Sequence, residues 1–235
     1  MHPKFKSEYM IKATLDEASR LAKAGGAGGS PELQAVIPES GMMVMSYCEG
    51  TSLIDVLEAA ATAPTWNLDD GQYFQILTEV CHCVKAINEI GLVHCDLNLG
   101  NMVVRRIIEA DSIKYKLSII DFGLATEIGQ SLKKNWDWEN VLLEKSWYAT
   151  ETLTGLPVSD RTDIVAIGDL IKVLLEHFLT GQYPGLGRFA QICMSRDANA
   201  RPKIDTVIKY LESCYQRCLV YQQMTDNYNH IFGRV

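Results

Sequence analysis

Ile11, Leu15, Ala18 and Leu21 recur every three or four residues with charged residues between them. That spacing predicts a helix from Ile11 to Ala24. The tract "GGAGGSP" then interrupts it. "GMMVMSYC", Gly41 to Cys48, is short, apolar and bounded by glycine, which predicts a strand. "TSLIDVLEAAA" joins a capping hydroxyl to an apolar run and predicts a short helix. Phe74, Leu77, Val80, Cys81, Val84 and Ile87 outline a long amphipathic helix ending before Gly91. Segments 102–108 and 113–120 are rich in Val and Ile. In the second, Tyr115, Leu117 and Ile119 alternate with Lys114, Lys116 and Ser118, the period of a strand. Ile164 to Phe178 is apolar on nearly every side, as expected of a central, buried helix. Ile204, Val207, Ile208, Leu211, Cys214 and Cys218 predict a last amphipathic helix. No internal repeat is visible, and the chain is mainly helical after residue 51.

Composition narrows the setting. The 235 residues are 47% hydrophobic and 22% charged, enough for one large domain or two lobes. The net charge of −7 lacks the basic footprint of a nucleic-acid partner. No apolar run approaches the ~20 residues of a membrane span, and "MHPKFKSEYM" lacks the apolar centre of a signal peptide. The seven cysteines are scattered and odd in number, which fits buried free thiols in a reducing, cytoplasmic setting. The pairs Cys81/Cys83 and Cys214/Cys218 lack a second ligand pair at zinc-site spacing, so burial is preferred to metal binding.

The polar residues that break the pattern carry the chemistry. "GLVHCDLNLGNMVV" sets His94, Asp96 and Asn101 between two apolar runs. Loop chemistry alone accounts for one such motif, because Asp and Asn bond their own backbone. "SIIDFGLA" follows, with Asp121, Phe122 and Gly123 at a strand end. The ordered pair H-x-D-x-x-x-x-N, strand, strand, D-F-G resembles the phosphotransfer signature of the protein-kinase superfamily. The chemistry explains the residue types. Phosphoryl transfer needs hard oxygen donors for Mg2+ and a carboxylate to orient the acceptor hydroxyl.

Small-molecule kinases of the aminoglycoside type share that pair. "SWYATE" at Ser146–Glu151 resembles the end of a protein-kinase activation segment. "TDIVAIGDL" resembles S-D-V-W-S-L-G, with Asp163 opening the central helix, and "SRDANARP" resembles D-P-x-x-R-P. The resemblance to eukaryotic-type protein kinases covers roughly residues 4–220. It implies an α+β, protein-kinase-like fold. A partial β N-lobe spans 1–47, with an αC-like helix, two strands and the start of the hinge, and a mainly α-helical C-lobe spans 48–235. By the same resemblance Asp96 is the catalytic base and Asn101 and Asp121 hold Mg2+. His94 packs against Phe122, and Glu151 pairs with Arg201. "MMVMSYCEGTSL" resembles the hinge, with Met45 as gatekeeper. The backbones of Ser46 and Cys48 meet the adenine of ATP, and Val103 joins the nucleotide-contacting set. "LDEASRL" places Glu17 at the αC ion-pair position, and Lys4 is the candidate phosphate-pairing lysine of the third strand. A helix-surface charge is the alternative for Glu17, and a charged N-terminal tail accounts equally well for Lys4.

Several positions depart from the family pattern. No glycine-rich loop precedes Glu17, so the first two N-lobe strands are not expected. Cys95 replaces the arginine of H-R-D, which implies little dependence on phosphorylation at Thr126, Ser131 or Ser146. Asn98 stands where serine/threonine kinases carry lysine, and Thr150 replaces the proline of A-P-E. "GQYPGLGRF" is too short for the usual αG helix, and Trp136 and Trp138 are expected to anchor the activation segment. The leading reading is transfer of the ATP γ-phosphate to a serine or threonine of a protein substrate. A pseudokinase-like binding or regulatory module is the alternative, and Glu151, Asp163 and Arg201 disfavour a small-molecule phosphotransferase.

Overall fold

The computed structural model describes residues 3–62, 66, 68–109, 112–132 and 145–232, with side chains described from Glu8 onward and to Met224 apart from Gln222. Helix α1 (Pro3–Ala24) contains the predicted 11–24 stretch but begins at Pro3, where a proline lacks only an N–H that the first turn leaves unpaired anyway. Its buried face is Ala18, Leu21 and Ala24, while Leu15 stays 37% exposed. The glycine tract forms a tight turn with Gly28 and Gly29 at φ 64° and 68°. A Cβ on Gly29 would stand 2.5 Å from the Leu117 carbonyl oxygen, and one on Gly28 2.8 Å from that of Cys83. The tract is therefore glycine because two neighbouring backbones touch it.

Two strands follow, β1 (Leu33–Ile37) and β2 (Met42–Met45), paired antiparallel with Val36 opposite Met43. The predicted strand 41–48 is thus shorter, and its partner β1 carries no clear alternation. Strand β3 (Thr51–Ser52) leads into α2 (Leu53–Thr62), then α3 (Asp70–Glu89). Asp69 and Gln72 close α3 with a reciprocal capping box, satisfying two orphan backbone donors. Strands β4 (Leu92–Val93), β5 (Met102–Glu109), β6 (Ser112–Ile119) and β7 (Thr126–Glu127) complete the β structure. The β3–β5–β6 sheet is antiparallel, with Met102 opposite Ile119, and β4 pairs with β7. Helices α4 (Thr150–Thr154), α5 (Ile164–His177), α6 (Leu186–Cys193) and α7 (Ile204–Phe232) close the chain. Among the described residues no helix lies between α5 and α6, as the short "GQYPGLGRF" stretch implies.

The fold is α+β, with α3 and α5 at its centre. Phe74, Leu77, Val80, Val84 and Ile87 of α3 are fully buried against Ile164, Ile167, Leu170 and Ile171 of α5 and against α7. Each fully buried side chain of this size contributes about 1.5–3 kcal/mol, so this contact dominates the core. Polar links supplement it. Asp70 accepts from Thr180 N (2.9 Å), Gly181 N (2.7 Å) and the Tyr183 hydroxyl (2.6 Å), tying the loop after α5 to α3. All seven cysteines are free. Cys81, Cys83, Cys214 and Cys218 are buried, and burial pushes the Cys83 thiol up to about 12. Among the described residues no helix is long and apolar enough to cross a membrane.

Candidate active site

A single buried carboxylate shapes the loop that follows β4. Asp163, at the start of α5, accepts from His94 N (2.8 Å) and Cys95 N (2.9 Å). Those bonds hold Cys95 at φ 66°, a left-handed conformation uncommon for a residue with a side chain. Burial pushes the Asp163 pKa up, against the pull of His94 and the two backbone N–H groups. His94 is fully buried, and its ring meets Phe122 edge-on at 5.1 Å, the packing expected from the sequence. His94 Nε2 lies 3.0 Å from the Ile120 carbonyl oxygen, which makes Nε2 the donor and leaves Nδ1 to face Asp96 N at 3.4 Å.

Asp96 is half-buried beyond this turn. Its Oδ1 accepts from Asn98 Nδ2 (3.2 Å) and from Trp147 Nε1 (3.0 Å), and its Oδ2 lies 3.5 Å from Asn101 Nδ2. Asn101 Nδ2 also donates to the Asp96 carbonyl at 2.9 Å, which turns Asn101 Oδ1 the other way. The β5–β6 register brings the next acid alongside: Ile120 N donates to Asn101 O at 3.0 Å, so Asp121 emerges beside Asn101. Asp121 is exposed and also left-handed, at φ 64°, and its Oδ1 accepts from Gly123 N at 3.1 Å. Asp96, Asn101 and Asp121 thus share one end of the β5–β6 hairpin. The second acid is felt by its neighbours. Burial and then the Asp121 charge raise the Glu17 pKa, with Arg20 opposing them.

The structure corrects the placement of Lys4. It lies in the first turn of α1, on the same continuous helix as Glu17 and not on a strand. Thirteen residues at about 1.5 Å each separate the two by about 20 Å along the axis. The cation beside Glu17 is instead Arg20, whose Nη1 donates to the Gly123 carbonyl at 2.5 Å. Lys23 meets Glu127 at 2.5 Å, a second tie between α1 and the segment after Asp121. Arg20 went unnoticed in the sequence, although it sits one turn after Glu17. Of the expected hinge residues, Met45 ends β2 and is 37% exposed. Ser46 N donates to Glu32 O at 2.9 Å, and the Cys48 thiol points to Gly29 O at 3.6 Å. Val103 is buried on β5, opposite Ser52.

Below the loop, Arg201 and Glu151 form a buried bidentate pair, Nη1 to Oε1 at 2.5 Å and Nη2 to Oε2 at 2.8 Å. Burial raises the Glu151 pKa, but Arg201 and the Thr162 hydroxyl outweigh it and hold the carboxyl below its usual value. This is the pairing that Glu151 and Arg201 suggest in the sequence. A cavity of about 290 Å³ lies next to Asn98 and Trp147, lined by Leu97, Leu99, Met102, Leu170 and Asp169. The larger cavity, about 600 Å³, lies between Gln75, Ile113 and Tyr215, and none of Asp96, Asn101 and Asp121 lines it.

Residues 34–224 match the family described as the protein kinase domain. The chain belongs to that family. It is 24% identical to the serine/threonine-protein kinase pkn2 of Myxococcus xanthus over 86% of this chain and 22% of that protein. It is 36% identical to the probable serine/threonine-protein kinase zyg-1 of Caenorhabditis briggsae over 37% of this chain and 11% of that protein. It is 29% identical to GLH-binding kinase 1 of Caenorhabditis elegans over 50% of this chain and 27% of that protein. The chain therefore spans about a quarter or less of the length of these kinases.

One arginine of the family pattern is replaced here by a buried thiol. Cys95 stands where the family's arginine would, and it is 4% exposed in a cluster with Val93, Leu132, Tyr148, Leu153 and Val158. Cys95 itself offers a phosphate on the segment no guanidinium, and the nearby Arg20 already donates to the Gly123 carbonyl. Phosphorylating Thr126, Ser131 or Ser146 is therefore expected to change phosphotransfer by less than about twofold, the scale of a weak surface charge effect. Phosphosite mapping paired with activity measurement checks this, and a large gain at any of the three sites would contradict it. Trp136 and Trp138, expected as anchors of the same segment, lie outside the described residues. The aromatic residue that does reach the site, Trp147, gave no signal in the sequence, because a tryptophan beside a tyrosine reads as ordinary packing.

Proposed function

We propose that this kinase transfers the γ-phosphate of ATP to a serine or threonine hydroxyl of a protein, with Asp96 as the base. The observation that carries the reading is the convergence of Asp96, Asn101 and Asp121 at one end of the β5–β6 hairpin. Asp96 orients the acceptor hydroxyl and receives its proton. Asn101 Oδ1 and the Asp121 carboxylate are hard oxygen donors of the kind Mg2+ takes, and Asn101 Oδ1 is turned away from Asp96 by the amide bond. The cation, when bound, offsets charge on the phosphates. The Ser46 carbonyl and the Cys48 N–H meet adenine, since Ser46 N is already bonded to Glu32. Met45 and Val103 flank the base, with residues 1–47 as a partial N-lobe and 48–235 as the C-lobe. Glu151, Asp163 and Arg201 favour a protein acceptor over a small molecule.

One observation favours a second reading, a regulatory or binding module with little turnover. Lys4 is far from Glu17, and Arg20 is already bonded to Gly123. Thermal unfolding with Mg2+ and ATP separates the two. Ligand at ~100 times its Kd adds about 2.7 kcal/mol, which raises Tm by about 5–10 °C for a chain of this size. Asp121→Ala is expected to remove most of that rise. No rise at millimolar nucleotide favours the module, whereas a rise with label appearing on peptide rather than aminoglycoside acceptors supports the kinase reading.

A further inference from the structure

Asp96 is held by a side chain from a distant part of the chain. Trp147 Nε1 donates to Asp96 Oδ1 at 3.0 Å across 51 residues of sequence, and Asn98 Nδ2 reaches the same oxygen at 3.2 Å. A carboxylate oxygen offers two in-plane lone pairs. Both on Oδ1 are taken. Oδ2 lies 3.5 Å from Asn101 Nδ2. Two donors at 3.0 and 3.2 Å therefore converge on one oxygen of the proposed base. The indole is itself fixed from both sides. It packs against both apolar clusters, Tyr148 lies 5.6 Å away ring to ring, and Lys145 Nζ stands 5.5 Å over the ring. The Tyr148 phenol is pushed up by burial and by its closeness to Asp96, which places it on the same carboxylate.

We propose that Trp147 is a positioning residue for Asp96: its indole N–H pins Oδ1 and makes the base's orientation depend on docking of the 145–151 segment. This rests on the kinase reading above. It supplies the link between segment and base that the substitution at Cys95 removes. Trp147 also lines the 290 Å³ cavity.

The test has two arms on the full chain. In the first, Trp147→Phe keeps a ring and removes the donor. A hydrogen bond to a charged group is worth roughly a tenfold effect or more. We expect kcat to fall about tenfold with KM for ATP within twofold. Trp147→His, which keeps an N–H, should recover a substantial part of kcat. Equal kcat in wild type and Trp147→Phe overturns the proposal, and so does a loss that histidine cannot rescue. The second arm needs no turnover. The Trp147 indole N–H resonance, assigned by its loss in Trp147→Phe, should shift in Asp96→Ala and exchange faster with solvent. An unmoved resonance overturns the contact. A wild-type chain that transfers no phosphate overturns the kinase reading and with it the positioning role, whereas an active wild type with an active Trp147→Phe overturns the positioning role alone.

Discussion

Asp96→Asn should lower phosphotransfer by at least about a hundredfold while leaving nucleotide binding intact, the usual scale for removing a positioned base. The substitution keeps the shape of the side chain. The Asn98 and Trp147 donors lose a charged acceptor but keep a carbonyl oxygen within reach of 3.0–3.2 Å. Asn101 and Asp121 are untouched, so Mg2+-dependent stabilisation by ATP persists. Label transfer to peptide and thermal shift, measured on one preparation, give both results. Unchanged turnover would remove Asp96 from the mechanism.

Breaking the Glu151–Arg201 pair should have the largest effect on stability. Both side chains are nearly inaccessible, at 6% and 1%. Arg201→Met leaves the buried Glu151 carboxylate with the Thr162 hydroxyl but no guanidinium, and removing one member of such a pair costs about 3–5 kcal/mol. For a chain of this length Tm should fall by about 10 °C. The double variant Glu151→Met/Arg201→Met should recover part of the loss, because no charge is left unpaired. A double variant as unstable as the sum of the two singles would show that the pair is not coupled. The same pair predicts a pH dependence. The Glu151 pKa lies below its ordinary 4.5 in the folded chain. The pair's contribution is therefore complete above about pH 4.5 and is lost as pH falls through the lowered value. Wild type should lose stability in that acid window, and Glu151→Gln should lose less there.

Much of this arrangement is legible in the residues. The 3.6-residue spacing of Phe74 to Ile87 and the two-residue alternation of Tyr115 to Ile119 each specify an element, because the periods of helix and strand differ. The chemistry of Asp96, Asn101 and Asp121 is legible through their ordered spacing, which resembles the protein-kinase signature. Asp70 shows the limit. It is an aspartate like Asp96 and accepts from Thr180, Gly181 and Tyr183, yet nothing in its neighbours says so. Lys4 shows the opposite error: a basic residue ahead of Glu17 fits a strand in a one-dimensional pattern, and only the continuous helix from Pro3 shows that the two lie far apart.

The sequence by itself determined the helical core, the β5–β6 hairpin and the identities of the acid, the amide and the second acid around it, since periodicity and residue chemistry are local properties of the chain. Only the tertiary structure decided that Arg20 reaches the Gly123 carbonyl, that the Asp121 charge acts on Glu17, and that Trp147 bonds Asp96. Those contacts join residues 51 to 104 positions apart, and no local pattern records the partner of a side chain across such a distance.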